Sequence, residues 1–197
     1  GVALPQTSMS EEDRKERGIR DRLLEINKIA ATYYYRQLRS ENGKAGLDYL
    51  KKRELSDSTI NSFGLGYATQ STGNLYKLLK DKGYDDDILK ESGLFTYERG
   101  IHEKFWNRVI FPIMDINNKV IGFGGRVMGD AKPKYLNSPE TRLFDKSRNL
   151  YGLNIARTSR KPNMIICEGY MDVISMHQAG FNQAVASLGT ALTPGHA

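Results

Sequence analysis

Two carboxylates close together in the sequence carry its most specific chemistry. Glu168 follows the apolar run of residues 164–167, and Gly169 then turns the chain into a predicted helix whose first turn holds Asp172. A carboxylate at the end of a buried strand faces the crevice in which open α/β sheets bind ligands. Acidic residues are also favoured near helix N-termini by the macrodipole. The spacing therefore leaves two interpretations open, a catalytic pair or ordinary helix-start acids.

Basic residues are dense upstream of these acids. Pro133 is expected to hold Lys132 and Lys134 in an extended segment that directs both ammonium groups the same way, and Tyr135 beside them can stack on a base. A charge run is usually a solvated face, but the interleaved aromatic, Pro and Gly residues favour contact with phosphates. The basic residues of this region are Lys104, Arg108, Lys119, Arg126, Lys132, Lys134, Arg142, Lys146 and Arg148.

A glycine-rich strand offers a second feature. Without a bulge, alternate residues share a face, with Val120, Gly122, Gly124 and Arg126 on one side and Ile121, Phe123, Gly125 and Val127 on the other. Glycine inside a strand often marks the close approach of a backbone or a ligand. We therefore consider a polynucleotide lying along the glycine face toward Arg126. A bulge, or a crossing strand that needs the space, is the alternative.

The first half of the chain is predicted to be mainly helical. The charged stretch of residues 9–18 is typical of a solvated tether, and apolar residues then recur at helical spacing from Ile19 to Leu38. Ser56 and Asn74 are predicted as helix caps, and Gly83 and Gly93 as helix stops. The shorter predicted helices cover residues 45–53, 57–63, 75–82 and 86–91.

The second half is predicted to contain more strands. Residues 108–113 and 120–124 form a predicted hairpin closed at Asn117-Asn118, and Ser138-Pro139 is predicted to cap and begin a short helix. Another short helix is expected in residues 150–157. A buried strand at 164–167, a helix at 170–179 and a strand at 184–188 then make a parallel βαβ unit.

Composition restricts the class of protein. With a net charge of +6, a pI near 9.3, 39% apolar and 26% charged residues, the chain is typical of a globular protein with a polyanionic partner. We expect no membrane contact and a cytoplasmic location, because no apolar run is long enough to span a bilayer and no secretory signal is evident. Cys167 is expected in the core. The histidines have no metal-ligand spacing, which favours surface or packing roles for His102, His177 and His196.

Read together, these motifs resemble the RNA polymerase core of bacterial replicative DNA primases. The resemblance covers nearly the whole chain and is carried by Arg108-Val-Ile-Phe-Pro-Ile, Gly122-Phe-Gly-Gly-Arg, Pro133-Lys-Tyr-Leu-Asn-Ser-Pro-Glu-Thr, Leu150-Tyr-Gly-Leu, Glu168-Gly-Tyr-Met-Asp-Val and Ser187-Leu-Gly-Thr-Ala-Leu-Thr. One local departure is Glu54, which stands where the family often has glycine.

The resemblance implies an α/β fold in two parts. An α+β N-terminal subdomain with a basic groove is followed by an incomplete, parallel-sheet Toprim fold. We expect residues 1–14 to be a linker, residues 15–148 the N-terminal subdomain and residues 149–197 a truncated Toprim subdomain.

The resemblance also implies roles for single residues. Glu168 would be the Toprim glutamate, acting as general acid/base or positioning the metal, and Asp172 would be the second acid of that motif. Nucleic-acid or nucleotide contacts are implied for Arg126, Lys134 and Lys146, and for Arg108 with a looser match. From the residue pattern itself we add Lys132 and Tyr135 to this binding set.

The implied activity is synthesis of short RNA primers on single-stranded DNA by nucleotidyl transfer. Its cofactor would be Mg²⁺ or Mn²⁺, and its partners a single-stranded DNA template, ribonucleoside triphosphates and the replicative helicase through a C-terminal domain. The family's Asp-x-Asp acids would follow Thr193, and its zinc module would precede Gly1, so the resemblance implies that residues 1–197 alone are inactive. Two rival functions remain, a single-stranded DNA binding module and another Toprim enzyme such as a topoisomerase or nuclease.

Overall fold

A computed structural model describes residues 10–196 of the chain. The helices are α1 Glu11–Leu38, α2 Lys44–Lys52, α3 Asp57–Ser62, α4 Asn74–Asp81, α5 Asp86–Glu91, α6 Leu153–Ala156 and α7 Tyr170–Gln178. The strands are β1 Gly66–Ala68, β2 Phe95–Thr96, β3 His102–Glu103, β4 Arg108–Met114, β5 Val120–Val127, β6 Tyr135–Asn137, β7 Ile165–Cys167 and β8 Ala184–Ala186. Short 3-10 turns occur at Glu41–Gly43 and Pro194–His196. The expected mixture of helices and strands is confirmed.

The long first helix begins earlier than the sequence indicated. Ser10 caps α1 by accepting a hydrogen bond from the Asp13 amide, and the Asp13 carboxylate accepts from the Ser10 amide. This reciprocal capping box starts the helix within the stretch that we predicted as a tether. Residues 1–9 of the predicted linker lie outside the described residues. Farther along α1, the apolar stripe is buried as expected.

The main sheet has four antiparallel strands in the order β1-β4-β5-β6. The predicted hairpin is confirmed, and Asn118 has a φ of 60° in its turn. The pairing shifts by one residue, because Ile113 lies opposite Gly122 while Met114 lies opposite Val120. A bulge of this kind reverses the faces of the residues before it. Ile121 therefore packs on the glycine side and Val120 opposite, the reverse of the predicted faces.

The sheet lies between two apolar cores. On one side α1 covers it, with the Tyr34 ring 5.6 Å from the Phe123 ring, centroid to centroid. On the other side, α7 and the region of α2 and α3 pack against Val109, Phe111 and Ile113. The second core joins the sheet to the βαβ unit, so it fixes the position of that unit.

The N-terminus of α4 is capped by Glu103, a residue distant in the sequence. We predicted Asn74 as its cap, which is wrong, because Gly73 precedes the first turn with a φ of 90°. The Glu103 carboxylate of β3 instead accepts hydrogen bonds from the amides of Leu75 and Tyr76, at 2.7 and 3.3 Å. Ser56 caps α3 as predicted.

The Glu103 cap gives a pH-dependent prediction. Burial raises the pKa of Glu103, opposed in part by the amide hydrogen bonds from α4. Between the ordinary and the raised pKa the folded state binds more protons than the unfolded state, so the contribution of Glu103 to stability falls as pH rises through that range. The free energy of unfolding of Glu103→Gln relative to wild type should therefore increase with pH. Urea unfolding from about pH 4 to about pH 7 measures this slope.

The exposed Glu98 provides the matched control for this experiment. Because Glu98 is exposed and Glu103 is not, the pH slope for Glu98→Gln should be smaller than the slope for Glu103→Gln. An equal pH slope for both variants would show that burial of the Glu103 carboxylate has no energetic consequence.

The helix predicted from Ser138-Pro139 does not form, and residues 138–142 have no regular structure. Ser138 instead bonds to the backbone of β5 just beyond the end of β6. Its hydroxyl accepts a hydrogen bond from the Phe123 amide at 2.9 Å, and its own amide donates to the Phe123 carbonyl at 2.8 Å. A serine engaged by a neighbouring strand is not available to cap a helix.

The βαβ unit is confirmed, since β7 and β8 pair in parallel around α7. The prediction that the first strand is buried is wrong, because Ile166 is 51% exposed and Cys167 is only partly buried. Among the described residues β7 pairs on one side only, which leaves an edge. Burial nevertheless raises the pKa of Cys167. Within residues 10–196, no helix is long and apolar enough to cross a membrane.

Candidate functional site

A pocket of about 440 Å³ lies where the first turn of α7 meets β6 and the end of α2. It contains three of the predicted site residues, Glu168, Asp172 and Tyr135. The other residues that line it are Arg53, Asn137, Gly169, Tyr170, Met171, Ser187 and Gly189. The structure therefore brings the predicted acids together with a predicted stacking residue more than thirty positions earlier.

The two acids of the pocket have different surroundings. One carboxylate oxygen of Asp172 accepts a hydrogen bond from the Gly169 amide at 3.1 Å, which is the helix-start role that the sequence left open. Glu168 is exposed and, within residues 10–196, its carboxylate has no hydrogen bond or ion pair. An uncommitted carboxylate beside a strand end is available for a ligand.

A divalent cation fits this pocket in part. Mg²⁺ prefers carboxylate and water oxygens, which the unpaired Glu168 side chain can supply. In the part of the chain that the structure describes, no three His, Cys, Asp or Glu side chains converge on one point. Glu168 is therefore one candidate ligand rather than a complete set.

Tyr170 fixes the pocket against the main sheet. Its ring stacks on Phe111 with centroids 4.9 Å apart, and its hydroxyl donates to the Asn137 side-chain oxygen at 2.7 Å. The Asn137 amide group donates in turn to the Leu188 carbonyl at 3.0 Å. Because Tyr170 begins α7 two residues after Glu168, these contacts set where the Glu168 carboxylate lies.

The glycine face of β5 is covered by protein, so a polynucleotide does not lie along it. A Cβ atom at Gly124 would be 2.4 Å from the Tyr170 ring, and one at Gly122 would be 3.3 Å from Phe144. The prediction that this face binds nucleic acid is wrong. The glycines make room for aromatic side chains from later in the chain. The alternative interpretation, in which another part of the protein needs this space, is therefore nearer to the structure, although side chains rather than a crossing strand fill it.

Arg126 lies at the open end of that face. Its guanidinium carbon is 4.4 Å from the centroid of the Tyr49 ring, and one NH₂ group donates to the Val127 carbonyl at 2.8 Å. The Nε atom is buried with no hydrogen-bond partner in the described chain. Tyr135, opposite Arg126 in the sheet, is 41% exposed and stacks on Tyr170 with centroids 6.4 Å apart.

Lys132 and Lys134 are exposed on the segment that leads into β6. The ion pairs found within residues 10–196 include neither lysine, nor Arg126. The chain bends at Lys132 and at Lys134, which corrects the extended segment that we predicted, and the Lys132–Pro133 peptide bond is cis. An X–Pro bond prefers trans by only about 0.5–1 kcal/mol, so the sequence did not decide the isomer.

Arg108 is inside the protein and not on the groove surface. It is 6% exposed, burial lowers its pKa, and its guanidinium donates to the carbonyls of Gly125 and Lys134 at 3.2 and 3.4 Å. The direct contact with nucleic acid implied for Arg108 does not fit this placement. Its bonds instead hold the backbone that carries Lys134.

Lys146 lies apart from the pocket, beside Lys104. The pKa of Lys104 is lowered, mainly by burial and to a smaller extent by the nearby Lys146 ammonium. The histidines have the packing and surface roles that we predicted. His177 contacts the Ala184 carbonyl at 2.8 Å, His196 the Lys146 carbonyl at 2.9 Å and His102 the Arg99 carbonyl at 3.1 Å.

Arg53 is the pocket residue that the sequence analysis missed. It follows α2 directly, and the next residue, Glu54, has a φ of 61° at the position where the family often has glycine. The Gln178 side chain of α7 bridges this turn, donating to the Glu54 carbonyl at 2.9 Å and accepting from the Ser56 amide at 2.8 Å. These two hydrogen bonds hold the turn after α2 against α7, so that Arg53 lines the same pocket as Glu168 and Asp172. No local pattern in the sequence indicated Arg53, because the hydrogen bonds that place it come from Gln178 in α7.

Comparison with known families identifies the chain. Residues 33–157 match the DNA primase catalytic core, N-terminal domain, and residues 163–197 match the Toprim domain. The chain belongs to the DNA primase catalytic core family. The first match covers the whole main sheet, the end of α1 and α2 to α6, and the second covers the βαβ unit with Glu168.

Several primases are similar to this family member. The DNA primase of Clostridium acetobutylicum is 51% identical over 175 residues, covering 88% of this chain and 29% of the relative. That of Deinococcus radiodurans is 50% identical over 180 residues, 89% of this chain and 31% of the relative. The chain thus spans about a third of the length of these relatives.

Solved structures show the same fold. The DnaG primase catalytic domain bound to ssDNA has a TM-score of 0.85 and 40% identity, covering 91% of this chain and 57% of that one. The RNA polymerase domain of the Mycobacterium tuberculosis primase, in complex with a double-stranded DNA oligomer with an overhang, has a TM-score of 0.85 and 35% identity. That match covers 89% of this chain and 57% of the other.

Proposed function

We propose that this chain is part of a DNA-dependent RNA primase, which makes short RNA primers on single-stranded DNA at the replication fork. The observation that carries the proposal is the pocket that the unpaired Glu168 carboxylate lines together with Arg53 and Tyr135, with Arg126 opposite Tyr135 in the sheet. An acid for metal or proton chemistry and cations for phosphates are what nucleotidyl transfer requires. The reaction joins a 3′-hydroxyl to an α-phosphate and releases pyrophosphate.

Glu168 is the residue that we assign to the reacting atoms. Its carboxylate would bind Mg²⁺ or Mn²⁺, or move a proton at the 3′ end. When bound, the metal neutralises phosphate charge and orients the reacting oxygens. Asp172 holds the Gly169 amide and so keeps the turn after Glu168 in place. We therefore give Asp172 a supporting part in catalysis rather than a second metal bond.

The cations and Tyr135 are assigned to the nucleic acid and the incoming nucleotide. Arg126, Lys132, Lys134 and Lys146 would contact phosphates, and Tyr135 offers a face for a base. Arg53 joins this set because it lines the same pocket as Glu168. Arg108 supports the Lys134 backbone instead.

The partners follow from the same assignment. A single-stranded DNA template is supported by the related catalytic domain that was solved bound to ssDNA. Ribonucleoside triphosphates would be the substrates, and binding of the replicative helicase and a zinc module elsewhere in the protein remain predictions from the family resemblance. The division of the chain near residue 149 also remains a prediction.

Single-stranded DNA binding tests the groove directly. Affinity for an oligonucleotide should fall steeply with salt, because each phosphate contact releases counterions. Lys134→Ala should weaken binding and reduce the slope of log K against log salt by roughly 0.7, the value for one contact to a single strand. Fluorescence anisotropy of a labelled oligonucleotide at several salt concentrations measures both quantities.

Lys28→Ala is the matched control. Lys28 is an exposed lysine on α1, which covers the opposite side of the sheet, so its removal should leave the slope unchanged. Equal slopes for Lys134→Ala and wild type would exclude the groove assignment. Salt-dependent binding with no primer synthesis, in a polypeptide that contains this chain, would favour the rival function of a DNA-binding module.

A further inference from the structure

Trp106 is a large aromatic side chain left open to solvent. It lies on the connection from β3 to β4, is 43% exposed, and is the single tryptophan of the chain. Its indole N–H donates to the Gln70 carbonyl at 2.9 Å. The polar edge of the ring is therefore satisfied by the protein, while its apolar surface remains available.

The backbone beside Trp106 is held on several sides. Asn107 has a φ of 47°, and its amide donates to the Thr69 carbonyl at 3.2 Å. Its side chain donates to the Met128 carbonyl at 3.0 Å and accepts from the Tyr67 hydroxyl at 2.6 Å. A ring on a fixed segment loses little conformational entropy when a ligand binds, which favours binding.

The exposed side chains of Lys132 and Lys134, which form no ion pair within residues 10–196, lie at the same end of the sheet as Trp106. The Met128 amide donates to the Asn107 carbonyl at 2.8 Å, and the Val127 amide donates to the Lys134 carbonyl at 3.0 Å. With strands about 4.8 Å apart, Asn107 and Lys134 are separated by two strand spacings, roughly 10 Å. That distance corresponds to about three stacked nucleotides at roughly 3.4 Å each.

We propose that Trp106 is a stacking platform for a base of single-stranded nucleic acid whose phosphates contact Lys132 and Lys134. An aromatic ring and cations at the same end of a sheet, a few nucleotide lengths apart, can bind a single strand without sequence preference, the ring by stacking and the cations through the phosphates. The inference rests on the proposed function and adds to it a binding position outside the Glu168 pocket. Tyr135, which stacks on Tyr170, would be the second aromatic platform, nearer the acids.

The single tryptophan makes the proposal directly measurable. Titration with an unlabelled oligothymidine should quench the intrinsic fluorescence of Trp106, with the same dissociation constant as anisotropy of a labelled oligothymidine. Bound oligonucleotide should also protect Trp106 from quenching by acrylamide. Both measurements use the wild-type chain, so they do not depend on the folding of a variant.

Variants separate stacking from charge. Trp106→Ala should weaken binding roughly 5- to 150-fold, the range expected for one lost base–aromatic stack. Trp106→Phe should restore most of that affinity. Neither change should alter the salt slope, in contrast to Lys134→Ala. Ile101→Ala, which removes an exposed apolar side chain from the preceding connection between β2 and β3, should bind like wild type.

The outcomes are distinct. Oligothymidine binding with unchanged Trp106 fluorescence, or equal affinity of Trp106→Ala and wild type, overturns the stacking role and leaves the proposed function standing. Absence of any oligonucleotide binding at low salt overturns both. Matched quenching and a specific loss in Trp106→Ala support the proposal.

Discussion

Glu168→Gln is expected to reduce primer synthesis by roughly 10²- to 10⁴-fold, the range for loss of a group that transfers protons or holds charge in the transition state. Glutamine has nearly the same shape but carries no charge and cannot accept the proton. In the structure the carboxylate has no protein partner within residues 10–196, so removing its charge leaves no group unsatisfied. Stability should therefore stay close to wild type.

The measurement separates catalysis from binding. Primer synthesis is followed on a single-stranded template with Mg²⁺ and ribonucleoside triphosphates, in a polypeptide that contains residues 1–197. Oligonucleotide affinity should be unchanged or slightly higher, because a negative charge leaves the neighbourhood of Arg53. Glu12→Gln, on the exposed side of α1, is the control and should retain activity. Full activity in Glu168→Gln would refute the assignment.

Gly124→Ala is expected to lower the free energy of unfolding by roughly 1–3 kcal/mol, as overpacking of a core does. The new Cβ would be 2.4 Å from the Tyr170 ring. That ring cannot move away freely, because it stacks on Phe111 and its hydroxyl is bonded to Asn137. Urea unfolding measures the loss. Because Tyr170 begins α7, activity that depends on Glu168 should decrease as well.

A double-mutant cycle tests the cause. Tyr170→Leu removes the ring, so Gly124→Ala should be much less damaging in that background, with a coupling free energy of about 0.5–3 kcal/mol. Gly18→Ala is the opposite control. It adds a methyl group in α1 with no atom within 4 Å, and should stabilise by about 1 kcal/mol through helix propensity. Additive effects of Gly124→Ala and Tyr170→Leu would contradict the steric account.

The elements that the sequence predicted correctly depend on neighbours along the chain. The hairpin turn needs a residue that tolerates positive φ, which Asn118 provides, and Ser56 caps α3 from three residues away. The βαβ unit follows from two short apolar runs on either side of one helix. The acid pair was likewise found by its position where β7 is followed by α7, with Glu168 between them and Asp172 in the first turn of the helix.

The predictions that failed involve residues from distant parts of the chain. Asn74 was predicted as the α4 cap, but Glu103 supplies it, and Ser138 bonds to β5 instead of starting a helix. The glycine face was considered open to a ligand, because the sequence does not show that the Tyr170 ring covers Gly124, forty-six positions earlier. Local periodicity contains no information about such partners.

For this protein, then, the sequence by itself determined most of the helices, the β4–β5 hairpin, the βαβ unit, the basic character of the middle region and the position of Glu168. Hydrophobic period, capping chemistry and turn preferences act over a few residues, so they can be read directly. Only the tertiary structure decided that Arg53 lines the same pocket as Glu168, that Arg108 is buried and that Tyr170 fills the glycine face. Those outcomes depend on packing between distant segments, where shape and unsatisfied hydrogen bonds select the partner.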